Sequence, residues 1–356
     1  MPRKSSSNYR IQPLTFHGLR TYPLASRPSK VHVGDFAKPH RQGASFSEFF
    51  ESLPKILAAE DLRALARAVV GARARSSAIL WGMGGHVIKV GLGPILNDLI
   101  RRGFVSGIAM NGSALIHDFE IALAGGTSED VEAVLGDGKF GMAEETGRFI
   151  NEMAGAARRG GIGLGEAAGE FLTQKSLHAK HADQSVLVAS YRAGIPVTVH
   201  LAIGADIPHM HRTASGENLG AATHHDFRLF CALVRQMHPR GVYLNWGSAV
   251  ILPEVFLKAV TVVRNLGTPL RPITTANFDF VQHYRPLQNV VKRPTAAAAT
   301  AEVSEKSRGY AITGHHEILF PLLAAALVES DEPSARNQKS DRSSRPSHRE
   351  GRPRSR

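Results

Sequence analysis

The sequence has a single cysteine among its 356 residues and no long apolar run. One cysteine excludes an internal disulfide and a cysteine-rich zinc site. The apolar neighbours of Cys231 in FRLFCALV predict a buried helix position rather than a nucleophile. No segment approaches the roughly 18 apolar residues of a membrane-spanning helix, and no apolar segment of signal-peptide type follows MPRKSSSNYR. We therefore expect no membrane association and a cytoplasmic location.

Acidic residues are in short supply, with 31 Asp and Glu against 43 Lys and Arg, a formal charge of +12. Much of the excess lies at the chain ends, where SARNQKSDRSSRPSHREGRPRSR is rich in Ser, Arg and Pro without apolar periodicity. We expect solvated basic ends rather than a specific nucleic-acid partner. The predicted organisation is a partly flexible N-terminal extension over 1–44, an α/β domain over 45–329 and a disordered basic tail over 330–356.

Short apolar runs alternate with helical segments along the predicted domain. The predicted strands are SAILW, VSGIAM, IPVTVHLAIG, GVYLNWG, PITTANFD and RGYAIT. HVIKVGLGPILNDLIRRG is predicted as one helix. This alternation predicts a doubly wound, mostly parallel, Rossmann-like sheet with helices on both faces, in which ligands bind beyond the carboxyl ends of the strands. Segments 135–172 and 281–308 fit no strand or helix clearly, so we expect insertions over the sheet edge, at least one of them mobile.

A glycine cluster, Gly82, Gly84 and Gly85, lies between a predicted strand and a predicted helix. Such a turn exposes backbone N–H groups that bind phosphate. The dinucleotide fingerprint has a third glycine where this chain has Val87, and the acidic residue expected about 20 positions later is absent. A purely structural turn is therefore an open alternative, although MNGS, NWGS and TTAN supply similar turns for a cofactor lying across several strand ends.

Acidic residues in two segments are typical of helix starts rather than of a site. In TSEDVEAVL, Thr127 or Ser128 stands ahead of the acidic residues in the pattern of a helix N-terminus. Asp130, Glu144 and Glu145 are accordingly interpreted as capping or surface residues.

Six motifs occur in one order between Ser77 and Leu323: LWGMGGHVIKVGLGPILNDL, AMNGSALIHDFEIAL, AGIPVTVHLAIGADIPHM, YLNWGSAVILPEVFLKAV, ITTANFDF and YAITGHHEILFPLL. In this series the chain resembles the deoxyhypusine synthase family, which uses NAD on a Rossmann-like sheet. The resemblance implies oxidation of a polyamine such as spermidine, with transfer of the butylamine fragment through a lysine imine. It also implies a homotetramer with active sites at its subunit interfaces.

The resemblance assigns roles to individual residues. His117 would accept a proton from the amine, or would simply cap a turn. Asp206, two positions away from an acidic position of the family, is the first candidate for orienting the cationic substrate, and Glu254 is the second. His209 would contribute to the catalytic loop, and Lys292 would form the imine. The cofactor-binding residues it implies for NAD are Gly82, Gly84, Gly85, His86, Asn111, Gly112, Ser113, Asp118, Gly247, Ser248, Thr275, Ala276 and His315.

The chain departs from the family pattern at the catalytic residues. Lys292 lies in NVVKRPT, without the family's Trp-Gly-Lys context, and Gly204 and His209 fall at two acidic positions of the polar loop. Carboxylates pair polyamine ammonium groups, so we expect a changed amine substrate. Two alternatives stay open: a non-catalytic NAD-binding protein, and a metal-dependent hydrolase using His209 and His211 with the His225–Asp226 pair.

Overall fold

Six strands form one parallel sheet in the computed structural model, which describes residues 8–296 and 306–331. The strands are β1 (Ile79–Met83), β2 (Gly107–Asn111), β3 (Val197–His200), β4 (Val242–Trp246), β5 (Thr274–Asp279) and β6 (Arg308–Thr313). Their order is β3-β2-β1-β4-β5-β6, and all five pairings are parallel. The predicted doubly wound, Rossmann-like class is confirmed. The strand order reverses between β1 and β4, which is the topological switch point of this architecture.

Helices cover both faces of the sheet. They are α1 (Phe46–Ser52), α2 (Leu57–Ala74), α3 (Gly85–Lys89), α4 (Gly93–Arg101), α5 (Gly112–Ala124), α6 (Val131–Leu135), α7 (Glu144–Gly160), α8 (Leu164–Thr173), α9 (Val186–Arg192), α10 (Gly216–Arg235), α11 (Ile251–Asn265), α12 (Tyr284–Pro286) and α13 (His316–Asp331). A π-helix, Leu287–Lys292, follows α12 directly. Cys231 is buried within α10, as its apolar neighbours predict.

The two faces of the sheet have separate apolar cores, because successive side chains of a strand point to opposite faces. In β1, Ile79 and Trp81 join the core beneath α2, α5 and α13, whereas Leu80 joins the core beneath α10 and α11. The Trp81 ring stacks on Trp246 of the neighbouring strand, with ring centroids 6.1 Å apart. This packing fixes the β1–β4 contact beneath the switch point.

The predicted single helix after β1 is two helices, which corrects the sequence prediction. Its apolar periodicity is continuous, but Gly91 adopts φ +82° and Pro94 begins the next helical turn. A left-handed residue ends a helix, and proline is favoured at the first position of a new one. The result is a five-residue α3, too short to present a long helix dipole at the glycine turn.

The two unassigned segments contribute helices to the fold. Segment 135–172 contributes α7 and α8, and α8 packs so closely on the edge strand β3 that a Cβ on Gly165 would lie 2.0 Å from the Val197 carbonyl oxygen. Segment 281–308 contributes α12 and the π-helix, whose Val290 carbonyl accepts a hydrogen bond from Thr275 Oγ1 at 2.6 Å. Residues 297–305 of that segment, and the predicted tail from residue 332 onward, lie outside the described residues.

The N-terminal segment 8–44 contains two short 3₁₀ turns, Leu24–Ser26 and Val33–Asp35. It exposes large apolar side chains, among them Ile11, Leu14 and Phe16. The first α-helix follows this segment, and Ser45 caps α1 reciprocally with Glu48. Within residues 8–296 and 306–331, no helix is long and apolar enough to cross a membrane.

Candidate functional site

The carboxyl ends of the strands bring most of the predicted site residues to one edge of the sheet, called here the crest. The turn after β1 and the turn after β4 meet there, where the Gly84 N–H donates to the Trp246 carbonyl oxygen at 2.9 Å. This contact lies at the switch point, the place where ligands bind in doubly wound sheets.

Neighbouring protein atoms fill the space beside the crest glycines. A Cβ on Gly84 would lie 2.4 Å from the Gly247 carbonyl oxygen, and one on Gly85 would lie 2.1 Å from Ser113 Oγ. A Cβ on Gly82 would lie 2.2 Å from the Tyr243 hydroxyl. These glycines therefore allow close packing within the protein, which favours the structural-turn alternative over an open phosphate cradle.

The first half of the crest, the His117–Asp206 half, lies around the N-terminal turns of α5. Ser113 and His117 are one turn apart on α5, and both lie beside Gly85. The Asp206 carboxylate packs 2.3–2.4 Å from the position a Cβ on Gly112 would take, and it accepts a hydrogen bond from the Ala202 N–H at 2.7 Å. Two close glycine contacts thus fix three of the predicted site residues, Ser113 and His117 at Gly85 and Asp206 at Gly112.

His209 lies in the same half, in the 3₁₀ turn Ile207–Met210. Its Nδ1 is 2.9 Å from the Asp206 carbonyl oxygen. The Nε2 atom is buried without a hydrogen-bond partner. His209 is therefore held by backbone and has one unused polar atom close to Asp206.

The second half of the crest is aromatic and consists of His86, Phe280, His315 and His316. The His86 ring lies 5.3 Å from the His316 ring and 6.1 Å from the Phe280 ring, measured between centroids. Phe280 and His315 are both exposed, and their rings are nearly parallel at 5.9 Å. Exposed stacked rings at a strand edge are suited to binding a planar group.

His316 is fully buried, and its hydrogen bond fixes its tautomer. Its Nε2 lies 3.1 Å from the Phe278 carbonyl oxygen, which can only accept, so Nε2 carries the proton. The Nδ1 atom is then an acceptor, and it has no partner. This half of the crest therefore has a buried acceptor available for an N–H donor.

Burial shifts the pKa values of the crest groups toward their neutral forms. Desolvation lowers the pKa of His117, and the Lys89 ammonium lowers it further. Desolvation is likewise the largest cause that lowers the pKa of His86, and the neighbouring His316 and Lys89 lower it further. Desolvation raises the pKa of Asp206, opposed by the Ala202 N–H and by His209. The histidines are thereby kept neutral, as proton acceptors must be.

Asp118 is a correction to the predicted cofactor-binding set. It is buried, and its carboxylate accepts from Ser185 Oγ at 2.5 Å, Val186 N–H at 2.8 Å and Leu187 N–H at 3.1 Å. These donors form the N-terminus of α9, so the carboxylate caps that helix. No part of it faces the crest.

Thr275 and Ala276 are also corrected, because β5 continues past them to Asp279. Both lie inside the strand with no exposed surface. The true strand end is Asp279, whose Oδ1 accepts from the Phe280 N–H at 2.9 Å. The sequence analysis missed Asp279, although it ends the quoted run PITTANFD.

Asn111 and Ser248 lie at the crest but cap helices. Asn111 Oδ1 accepts from the Ala114 N–H at 2.9 Å, and Ser248 Oγ accepts from the Leu252 N–H at 3.1 Å. Each side chain satisfies a donor that a helix start leaves unpaired. Their side-chain oxygens are therefore committed to the fold.

Glu254 and Lys292 do not join the crest cluster. Glu254 pairs with Lys258 and Arg285 and accepts from Asn289 Nδ2 at 2.8 Å. Lys292 is exposed at the end of the π-helix. The preceding Val291 carbonyl packs on Gly309 near the beginning of β6, at the amino end of the sheet. The predicted imine-forming role of Lys292 is corrected accordingly, whereas Glu254, in the first turn of α11, is paired with protein groups.

The histidines proposed for a metal site do not assemble. Within the described ranges, no three His, Cys, Asp or Glu side chains are placed to share a metal ion. Asp226, one of the suggested ligands, is buried and accepts from Gly165 N–H at 3.1 Å and Val199 N–H at 2.9 Å. It joins α8 to β3, and the suggested ligand set has no common centre.

The sequence predicts that Thr127 or Ser128 starts a helix. In the structure, Asp130 caps α6 instead. The Thr127 hydroxyl lies 2.7 Å from His117 Nδ1 and donates to Glu120. Lys89, at the end of α3, was also missed. The sequence feature that could have identified Lys89 is its position, one helical turn after His86.

Comparison with known proteins gives structural likeness only. No family model matches the chain, and no curated protein matches it. Solved structures similar to it include ArgZ, an arginine dihydrolase from cyanobacteria, with 16% identity and a TM-score of 0.45. The match covers 77% of this chain and 33% of the ArgZ chain. AgrE in complex with ornithine and NAD⁺ has 14% identity and a TM-score of 0.47, with the same coverage.

A proposed deoxyhypusine synthase from Entamoeba histolytica has 11% identity and a TM-score of 0.46. The match covers 82% of this chain and 96% of the synthase chain. This chain thus spans about a third of the length of ArgZ and AgrE. Identities this low do not place the chain in a family.

The residues at the crest fit parts of NAD to different extents. The aromatic half offers stacking surfaces and the unpaired His316 Nδ1, which suit a planar ring carrying an amide donor. The glycine turn is filled by protein, and the Asp206 carboxylate lies at the start of α5, where a phosphate would otherwise bind. The fit therefore concerns the ring-binding half of the crest.

Proposed function

We propose that the chain is an NAD-dependent enzyme that acts on an amine, by aminobutyl transfer or by oxidation through an imine. The observation that carries the proposal is the placement of two polar groups at the carboxyl ends of a Rossmann-order sheet, neutral His117 beside the turn after β1 and the Asp206 carboxylate beside the turn after β2. The resemblance in sequence to the deoxyhypusine synthase family supports the choice of cofactor and substrate class.

The chain's own residues would divide the work as follows. His86, Phe280, His315 and His316 would hold the cofactor ring, and NAD, when bound, supplies an acceptor for hydride. His117 would take the proton from the amine nitrogen as the carbon–nitrogen bond becomes an imine. Its lowered pKa suits this role.

Asp206 would pair with an ammonium group of the substrate. Burial raises its pKa, and a bound cation would favour its ionised form.

A lysine imine would involve Lys89 rather than Lys292. Lys89 is exposed at the end of α3, and its ammonium acts on both His86 and His117. It is therefore the lysine that contacts both halves of the crest electrostatically. The homotetramer implied by the resemblance is part of the proposal, supported by the exposed apolar side chains of segment 8–44.

Calorimetric titration with NAD tests the cofactor. We expect binding that weakens about tenfold in Phe280→Ala, since one aromatic stacking contact contributes up to about 1.5 kcal/mol. Phe36→Ala, at an exposed phenylalanine of the N-terminal segment, is the matched control and should bind like the wild type. No binding at about 1 mM NAD, weaker than about −4 kcal/mol, would reject the proposal.

Amine-dependent reduction of NAD, followed by absorbance, tests the reaction. We expect His117→Gln to lower kcat and Asp206→Asn to raise KM for the amine. NAD binding without turnover of any diamine or polyamine would instead support the non-catalytic alternative.

A further inference from the structure

The two edges of the His117 ring face different surroundings. Nδ1 lies 2.7 Å from Thr127 Oγ1. Cδ2, the atom bonded to Nε2, lies 2.7 Å from the position of a Cβ on Gly85, on the crest side. The location of the ring proton therefore decides whether the crest meets a hydrogen-bond donor or an acceptor.

The partners of Thr127 determine that location. Thr127 Oγ1 donates its only proton to Glu120 Oε2, and the other Glu120 oxygen accepts from Thr146 Oγ1 at 3.0 Å. An ionised carboxylate can only accept. With its own proton directed to Glu120, the Thr127 oxygen can only accept from His117, so Nδ1 carries the ring proton.

The local sequence explains why Thr127 reaches His117. Gly125 ends α5 in the left-handed conformation, φ +77°, which turns the chain back along the helix. His117 and Glu120 are three residues apart on α5 and share a face. The returning loop thus places one hydroxyl against both side chains.

We propose that Thr127 and Glu120 are positioning residues that hold neutral His117 in the Nδ1-protonated tautomer, so that Nε2 faces the crest as the proton acceptor. The inference deepens the proposed function and rests on it for the identity of the proton that His117 accepts. The tautomer itself follows from hydrogen bonds within the chain. Desolvation and Lys89 lower the pKa of His117, which keeps the ring neutral at about pH 7.5.

The experiment is ¹⁵N NMR of histidine-labelled full-length protein, with the His117 signals assigned through His117→Gln. In the wild type we expect Nδ1 protonated and Nε2 unprotonated. In Glu120→Gln, the Thr146 hydroxyl still donates to the side-chain amide oxygen, and the amide nitrogen donates to the Thr127 hydroxyl oxygen. The Thr127 hydroxyl then donates to Nδ1, and the proton moves to Nε2.

The tautomer ratio should change by about tenfold or more, as expected for one charge-assisted hydrogen bond. Thr127→Ser keeps the hydroxyl and should retain the wild-type tautomer, whereas Thr127→Val should lose the preference. Glu145→Gln removes a neighbouring exposed carboxylate that lines the same cavity as Glu120, and it should change nothing.

A wild-type ring protonated at Nε2, or a tautomer ratio that Glu120→Gln leaves unchanged, would overturn the inference. An equal change in Glu145→Gln would overturn it as well, because the effect would then be one of charge alone. Failure of NAD to bind while the tautomer pattern holds would reject the proposed function and leave this arrangement standing. Where turnover exists, Glu120→Gln should lower kcat and leave KM for the amine unchanged.

Discussion

Replacing Asp118 by alanine separates a structural role from the cofactor role that the sequence suggests. The substitution removes the acceptor for three donors, Ser185 Oγ and the N–H groups of Val186 and Leu187. All four residues are at most 1% exposed, so water cannot replace the carboxylate. A buried donor left unpaired costs about 1–3 kcal/mol.

We expect Asp118→Ala to lower the free energy of unfolding by about 3–5 kcal/mol in total, a sum below the additive maximum because the Ser185 hydroxyl can rotate to another acceptor. Urea titrations followed by circular dichroism measure this difference. Asp130→Ala is the matched control, since Asp130 also caps a helix but is exposed, with its Oδ1 3.2 Å from the Ala133 N–H. Loss of an exposed cap costs about 1 kcal/mol or less.

The reasoning is refuted if Asp118→Ala unfolds like the Asp130→Ala control. It is refuted more sharply if the folded variant also loses NAD affinity. In that case Asp118 would serve the cofactor, as the family resemblance implies, and its three hydrogen bonds would contribute little to stability.

Three further predictions concern pH, packing and the lysine. Burial raises the pKa of Asp226 to about 7, above its unfolded value of about 4, so its contribution to stability is present below pH 4 and is lost as the pH rises through 7. Asp226→Asn should remove this dependence of stability on pH, measured as urea midpoints across this range. An unchanged dependence contradicts the assignment. Gly84→Ala should lower the free energy of unfolding by about 1–3 kcal/mol, because the new Cβ would meet the Gly247 carbonyl oxygen. Gly220→Ala in α10, which has open space around it, should raise the free energy of unfolding slightly. Equal effects would show that the crest turns can move apart freely. Lys292→Met should leave amine turnover unchanged, and a turnover loss of tenfold or more at constant stability would return the imine to that residue.

The strands were predictable from sequence, whereas one helix was not. Each strand is a short run of apolar residues bounded by glycine or polar residues, and the alternation with helices implies parallel pairing. The periodicity through Ile88, Leu92 and Leu96 continues across the break between α3 and α4. The break is marked by Gly91, which is left-handed, and by Pro94 at the start of α4, and neither residue belongs to the apolar pattern.

The candidate site was predictable at the level of strand ends, but less so for individual side chains. His117 and Asp118 are adjacent in sequence, yet successive helical residues differ by about 100° in direction. One therefore faces the crest and the other faces α9. The contact between Thr127 and His117 depends on the reversal at Gly125, which joins residues ten positions apart.

The crest glycines act on the site by allowing close approach between protein groups. Contact between Gly84 and Gly247 joins β1 to β4, and the absence of a Cβ on Gly85 admits Ser113 and His117. Gly112 admits Asp206 in the same way. Because each approach is shorter than a side chain permits, any larger residue would move a strand end or a helix. A glycine pattern similar to a cofactor fingerprint can thus be required for seating polar side chains of the protein at the strand ends, His117 at Gly85 and Asp206 at Gly112.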